Sequence, residues 1–233
     1  ILMMGEAFKE ACKENGIIFS GLEVAAQAIN YHIGEYKIGA LVIGAIDRKK
    51  ILTGDKIREG DVIIGLHTEG ISSISYPFIK VILDRKPNIV YTKIDGVNMF
   101  MDELMKPNAC YVNVIKELNE QNLIHGIFSI DRSLFNRRCY RTMPKGLGAS
   151  ISVSEIPIPT LFQYLYELNM MDKECFLDDF SLGISMLLVV PKEQCDRIIK
   201  IIEKYHKCYR IGKIEEDKEY PDAKVWMEGT IKW

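Results

Sequence analysis

The stretch that decides the fold covers residues 38–83 and reads IGALVIGAIDRKKILTGDKIREGDVIIGLHTEGISSISYPFIKVIL. Residues 38–45 are apolar and β-branched, broken only by small side chains, and this pattern predicts a strand. The polar residues 47–54 predict a turn, and residues 62–64 predict a second strand that is short and buried. A glycine-containing loop then leads to Pro77, which suits the first turn of a helix. The stretch is therefore expected to fold as strand, loop, strand, loop and helix.

The rest of the chain alternates between helical and strand patterns. Apolar residues three and four positions apart mark the helices, and continuous apolar runs mark the strands. This alternation predicts an α/β fold, in which a layered, mixed β-sheet is flanked by helices. We expect residues 1–233 to form a single domain. Helices are predicted over residues 1–15, 109–119, 161–168 and 195–202, and strands over residues 17–19, 123–130, 149–153, 184–190, 209–214 and 225–231.

Composition is that of an ordinary globular protein. Apolar residues make up 48% of the chain and the net charge is −2, so neither nucleic acid nor an anionic membrane surface is an expected partner. No apolar run reaches the length that a membrane span requires. The six cysteines include no Cys-x-x-Cys pair, and we expect no metal site from them. They favour reduced thiols in the cytoplasm or another reducing intracellular compartment.

A family resemblance is carried by a series of segments in a fixed order. These are ILTGDKIREGDVIIGL (51–66), LMKPNACYVNVI (104–115), MPKGLGASI (143–151), EIPIPTLFQYL (155–165), FLDDFSLGISMLLVVPKEQCDRI (176–198) and YRIGKI (209–214). Together they resemble the C-terminal domain of aminoimidazole ribonucleotide synthetase, also called phosphoribosylformylglycinamidine cyclo-ligase. The resemblance covers nearly the whole chain and implies the fold of that domain.

The resemblance also implies a reaction. Family members use ATP and Mg²⁺ to close the imidazole ring of formylglycinamidine ribonucleotide in de novo purine biosynthesis. The family's N-terminal, ATP-binding domain is absent from residues 1–233, and no phosphate-binding glycine loop is present. We therefore expect neither ATP nor Mg²⁺ to be a cofactor of this chain alone. The expected partner is a second copy of the chain, a separate N-terminal domain or another protein, and a chain that begins at Ile1 is expected to be a fragment.

The first family motif, Gly-Gly-Glu-Thr-Ala-Glu-Met-Pro, falls on residues 21–28. Gly21 and Glu23 match the motif and are candidate substrate-binding residues. Leu22 replaces a glycine whose missing side chain would let a ligand approach, and Ala26 replaces a carboxylate. The resemblance therefore predicts a weakened ligand site in this segment.

The second motif is the loop after the buried strand. The family carries Ser-Gly-x-His-Ser-Asn-Gly there, whereas residues 69–75 read Glu-Gly-Ile-Ser-Ser-Ile-Ser. By the resemblance, Ser72 and Ser73 are candidate substrate-binding residues. Ser72 stands in the place of the histidine, and because a hydroxyl does not titrate near neutral pH, it cannot act as a general acid or base. We therefore assign no catalytic residue.

The third motif, a Thr-Gly-Gly-Gly turn, falls on residues 131–134, which read Asp-Arg-Ser-Leu. Three side chains thus stand where bare backbone would hold a ligand. Arg141 matches the end of the family's Asn-Ile-Pro-Arg segment and is the last candidate substrate-binding residue. Together with Arg132, Arg137 and Arg138 it forms a basic cluster, which indicates either an anion site or, more commonly, a solvated loop.

The sequence leaves two alternative functions open. The chain is either a cyclo-ligase domain whose reaction is eroded, or a catalytically inactive homologue that acts as an interaction, regulatory or assembly subunit. The retained core segments favour the first function. The altered loops favour the second, because a fold carries a function only through its sites.

Overall fold

The computed structural model describes residues 2–25, 29, 31–32, 34–217 and 225–233. The chain divides into two compact units, residues 1–51 and residues 52–233, which we call unit 1 and unit 2. The expectation of a single domain stays a prediction. Ala26, one of the altered positions of the first motif, lies outside the described residues.

The described residues of unit 1 contain one α-helix, α1 (Leu2–Glu14), and a short 3₁₀ helix, Arg48–Lys50. Gly16 follows α1 in the left-handed conformation, with a φ of 65°, as the sequence predicts for a helix end. Residues 38–45 and 17–19 form no strand, so both of these strand predictions were wrong. A strand needs a neighbour that pairs with its backbone N–H and C=O groups, and the described part of unit 1 offers none.

Unit 2 is built on a six-stranded sheet. Its strands are β1 (Val62–His67), β2 (Gly126–Ser129), β3 (Leu147–Ser152), β4 (Ile184–Val190), β5 (Cys208–Glu216) and β6 (Val225–Glu228). From one edge to the other they follow the order β2-β4-β1-β5-β3-β6. Neighbouring strands are antiparallel except for β3 and β6, which are parallel. The sheet is therefore mixed, as predicted.

Helices cover both faces of this sheet. They are α2 (Tyr76–Arg85), α3 (Phe100–Leu104), α4 (Val112–Glu120), α5 (Thr160–Glu167), α6 (Lys173–Asp179) and α7 (Cys195–Ile202). Successive side chains of a strand point to opposite faces, so Ile63 of β1 packs with α2, α3, α5 and α6, whereas Ile64 packs with α4 and α7. The predicted layered α/β fold is confirmed. Among the described residues, no helix is both long and apolar enough to cross a membrane.

Candidate functional site

The loops that carry the second and third motifs follow the carboxyl ends of β1 and β2. We call this side of the sheet, where strands end and loops begin, the loop edge. Because β1 and β2 both run antiparallel to β4, which lies between them, their carboxyl ends meet at the edge where β4 begins. We call the segments at this edge the β1 loop (residues 68–75), the β2 loop (residues 130–136) and the β4 lead (residues 179–183). Loops at strand ends commonly carry binding residues on a rigid scaffold. The sheet therefore brings two of the three motif segments together.

The β1 loop is fixed to neighbouring segments through Thr68. Its backbone N–H donates to the carbonyl of Gly183 at 2.8 Å, and its hydroxyl lies 3.2 Å from the side-chain oxygen of Asn108. A Cβ atom on Gly70 would lie 2.7 Å from the carbonyl oxygen of Lys106. Glycine at this position therefore allows a close approach of two backbones.

Two of the three serines of the β1 loop form side-chain hydrogen bonds within the protein itself. Ser72 Oγ accepts the backbone N–H of Ile74 at 3.4 Å and begins a short 3₁₀ turn over Ser73–Ser75. Ser75 is buried and donates to the backbone carbonyl of Asp179 at 2.5 Å. Of the two predicted substrate-binding serines, Ser73 is the exposed one.

An ion pair joins the β2 loop to the β4 lead. The guanidinium of Arg132 donates through Nε and Nη2 to the carboxylate of Asp179. Asp179 is 4% exposed, whereas 40% of the Arg132 side chain is accessible. The guanidinium also lies over the ring of Phe78, 5.9 Å from its centroid. Because an unpaired charge at the depth of Asp179 would be strongly unfavourable, the carboxylate depends on this partner.

Side chains fill the turn where the third motif has glycines. Ser133 and Leu134 are both 0% exposed. Ser133 Oγ accepts the backbone N–H of Phe135 at 3.0 Å, and the hydroxyl of Tyr140 donates to the carbonyl of Leu134 at 2.5 Å. The polar groups of this turn are therefore used inside the protein.

Arg141 follows the 3₁₀ turn Arg137–Tyr140 and is exposed. Cys139 lies beside this position, with its Sγ 3.7 Å from Oδ1 of Asp131. Burial, and after it the charge of Asp131, raises the pKa of Cys139 to about 11. The thiol is thus protonated at neutral pH and does not serve as a nucleophile.

The remaining predicted residues, Gly21 and Glu23, belong to unit 1, where both are exposed. Ser72 and Ser73 are neighbours in unit 2, and no hydrogen bond or ion pair among the described residues links either of them to Arg141. The substrate-binding roles of all five residues stay predictions.

Comparison of the sequence with protein families shows which family the chain belongs to. The family model for AIR synthase related protein, C-terminal domain, matches residues 58–221, which include all three segments of the edge. The chain belongs to this family. Its sequence is 30% identical over 208 residues to the phosphoribosylformylglycinamidine cyclo-ligase of Bacillus thuringiensis (strain Al Hakam), covering 88% of this chain and 60% of the relative. The same-named protein of Bacillus mycoides (strain KBAB4) is 30% identical over 210 residues, covering 89% and 61%. The chain thus spans about 60% of the length of these curated relatives.

Solved structures share the fold of this AIR synthase related domain. The thiamine-monophosphate kinase of Stenotrophomonas maltophilia K279a has a TM-score of 0.51 and 14% identity, covering 80% of this chain and 56% of that chain. HypE of E. coli, a hydrogenase maturation protein, has a TM-score of 0.50 and 16% identity, covering 76% of this chain and 48% of that chain. At these identities the likeness concerns the fold alone, and it confirms the predicted fold class.

Two side chains at this edge of the AIR synthase related domain are not among the predicted site residues. One is Asp179, the partner of Arg132. The other is His67, the last residue of β1, whose Nδ1 is buried and has no hydrogen-bond partner among the described residues. Its ring meets that of Tyr209 edge-on, with the centroids 5.9 Å apart. Burial, and after it the charge of Lys207, lowers the pKa of His67. A histidine that ends an apolar strand was the only sequence signal for this position.

Proposed function

We propose that this chain is a cyclo-ligase-like domain that has kept the family's fold while its ring-closing reaction is eroded. The resemblance to relatives named phosphoribosylformylglycinamidine cyclo-ligase implies a reaction in which ATP and Mg²⁺ activate a formyl oxygen and a nitrogen then closes the imidazole ring. Such a reaction needs an accessible phosphate cradle, carboxylates for the metal and a titratable group near the reacting atoms. The observation that carries the proposal is that most polar side chains of the β1 and β2 loops form hydrogen bonds or ion pairs within the protein itself.

The phosphate cradle is the first point of support. A glycine turn binds an oxyanion through backbone N–H groups that no side chain covers. In the β2 loop, the N–H of Phe135 is already bound by the hydroxyl of Ser133. The guanidinium of Arg132 is likewise bound to Asp179. An incoming phosphate would have to displace both of these contacts.

The second point of support for the proposal is that the side chains present do not fit a Mg²⁺ ion bound together with ATP. Magnesium is held by carboxylates, but among the described residues no group of three or more His, Cys, Asp or Glu side chains is placed to hold a metal ion. The buried carboxylate of Asp179 is taken by Arg132. We therefore propose no ATP or magnesium site for this chain alone.

The general acid or base is the third point of support. Ser72 stands in the place of the family's histidine, and its hydroxyl accepts a backbone N–H at the start of a 3₁₀ turn. A hydroxyl in this role contributes to the local structure, and it does not exchange protons near neutral pH. Loss of a positioned acid or base typically costs a factor of about 10² to 10⁴ in rate.

A ring-closure assay tests the proposal. The purified chain is incubated with formylglycinamidine ribonucleotide, ATP and Mg²⁺, and the cyclo-ligase of Bacillus thuringiensis serves as the positive control. We expect no aminoimidazole ribonucleotide above the buffer level. Product that increases with the concentration of the chain would overturn the proposal. Isothermal titration calorimetry with Mg²⁺ and ATP is an independent measurement, for which we expect no heat of binding.

A second candidate function is that of a catalytically inactive interaction, regulatory or assembly subunit. The exposed apolar side chains of unit 1 favour it: Leu41 is 88% and Ile43 is 87% exposed, and clustered exposed apolar side chains mark interaction surfaces. We propose a second copy of the chain or a separate N-terminal domain as the partner, in the cytoplasm or another reducing compartment. Light scattering tests the first partner, since a monomeric mass at every concentration would exclude the homodimer.

A further inference from the structure

Arg132 lies in a stretch of the chain that is rich in positive charge, whereas Asp179 ends α6, which also carries Glu174 and Asp178. Arg137, Arg138 and Arg141 follow Arg132 closely in sequence and are exposed. None of these three forms an ion pair with another described residue. An acidic side chain, Asp131, also occurs in this stretch, beside Cys139. The carboxylate that binds the guanidinium of Arg132 directly is that of Asp179. The charge around Arg132 in the sequence therefore favours an anion, while the carboxylates of α6 oppose one on the side of Asp179.

The two partners of the pair differ in their access to solvent. Asp179 is 4% exposed, while 40% of the Arg132 side chain is accessible. Both contacts of the guanidinium reach the same carboxylate oxygen, Oδ1. A guanidinium carries five N–H donors, so further donors remain. The ring of Phe78 lies under the guanidinium at 5.9 Å, which favours a defined orientation of its plane.

We propose that Arg132 anchors a latent oxyanion site and that the carboxylate of Asp179 is the built-in occupant that keeps this site closed. The ligand class is a phosphate group, either inorganic phosphate or a phosphate monoester, because a guanidinium binds phosphate with the same fork of donors that it offers to a carboxylate. The proposal depends on the proposed function only in placing ligand loops at this edge. Phosphate binding is measured separately from ring closure, so each can fail without the other.

The structure explains why the site is closed in the unaltered chain. The backbone carbonyl of Asp179 accepts the hydroxyl of Ser75 at 2.5 Å, so the residue is held from two sides. A phosphate could bind Arg132 only by displacing the carboxylate of Asp179. That carboxylate would then be buried without its counter-charge, which is strongly unfavourable. Removing the charge of Asp179 while keeping its shape removes that obstacle and leaves Arg132 in place.

Phosphate titration of the variant Asp179→Asn tests the proposal. The probes are inorganic phosphate and ribose 5-phosphate, followed by isothermal titration calorimetry. We expect Asp179→Asn to bind at least about tenfold more tightly than the unaltered chain, which corresponds to about 1.4 kcal/mol. The matched control is Asp84→Asn, which removes an exposed carboxylate paired with Lys80 at 3.0 Å and changes the net charge equally. It should leave phosphate binding unchanged.

A double variant locates the site. Arg132→Gln combined with Asp179→Asn should lose the gained affinity. Equal binding by Asp179→Asn and the unaltered chain, or equal binding by the single and double variants, would overturn the proposal. Should Asp179→Asn not fold, the unaltered chain provides the test: the nitrogen-15 resonance of Arg132 Nε, assigned with Arg132→Lys, must not shift on addition of phosphate. A shift of this resonance would show an open site and would contradict the closed one.

Discussion

Two apolar, β-branched stretches of this chain have similar composition and different structures. Residues 184–190 form β4, which pairs with β1 on one side and β2 on the other, and Leu187 within it is 0% exposed. Residues 38–45 form no strand, and Ile43 within them is 87% exposed. Strand propensity is therefore not sufficient. What distinguishes the two stretches is whether neighbouring strands satisfy the backbone groups and helices cover the side chains.

The same comparison separates core from loops within unit 2. The strands at the centre of the sheet retain the pattern that the family resemblance predicts. The loops at the ends of β1 and β2 carry side chains that form their own contacts, such as the pair of Arg132 and Asp179. Conserving a buried pattern maintains the fold, whereas activity depends on polar groups that remain available to a ligand.

Truncating one side chain in each β-branched stretch gives the largest expected difference. Leu187→Ala should lower the free energy of unfolding by about 2–5 kcal/mol, because it opens a cavity between the sheet and its helices. Ile43→Ala should change it by less than about 0.5 kcal/mol, since its side chain is exposed. Urea unfolding of both variants measures the difference. Similar losses in the two variants would show that residues 38–45 are buried against a partner in solution.

Glycine substitutions extend the comparison to loops. Gly70→Ala should destabilise unit 2 by about 1–3 kcal/mol, because the new Cβ would lie 2.7 Å from the carbonyl oxygen of Lys106. Gly39→Ala is the matched control in unit 1, where a Cβ meets nothing within 4 Å, and it should be neutral or slightly stabilising. Thermal unfolding of the two variants measures the difference in stability. A neutral Gly70→Ala would mean that the β1 loop is not packed closely.

Much of the sheet could be predicted because its strands are marked by local patterns. The prediction for residues 184–190 matches the bounds of β4, while the strand predicted over residues 123–130 is shorter in the structure, as β2 (Gly126–Ser129). Helix α6 was missed although it has a sequence signal, since Asp172 precedes it and accepts the N–H of Cys175 at 2.8 Å. An Asp at this position is a common helix start.

The arrangement of the candidate site could be predicted only in part. The resemblance identified the β1 and β2 loops, and the sheet order brings them to one edge. The partner of Arg132 was not predictable, because Asp179 is 47 residues away in sequence. Likewise, Ser75 and Asp179 are 104 positions apart in sequence, and only the tertiary fold brings them together. Spacing along a chain does not report contacts of this kind.

The end of the described chain shows that a segment without regular structure can still be held by side-chain contacts, unlike residues 38–45. The ring of Trp233 stacks on Tyr166 at 3.7 Å and meets Phe176 edge-on at 5.5 Å. Trp233→Ala should lower the free energy of unfolding by about 2 kcal/mol through lost burial and ring pairing. Lys232→Ala, at an exposed neighbour, should have no measurable effect. Equal effects in denaturant unfolding would show that the tail is not held by Trp233.

The smallest expected effect is the change in the free energy of unfolding on acidification, which tests His67 at the loop edge of unit 2. The pKa of His67 is lowered from its ordinary value of 6.5 by burial and then by Lys207, while Glu69 acts in the opposite direction. Between the lowered pKa and 6.5, the unfolded chain binds more protons at this histidine than the folded chain does. The free energy of unfolding therefore rises with pH through this window and falls again on acidification. His67→Gln should flatten this part of the profile, measured by urea unfolding across the pH range. An unchanged slope in His67→Gln would mean that His67 titrates alike in the folded and the unfolded chain.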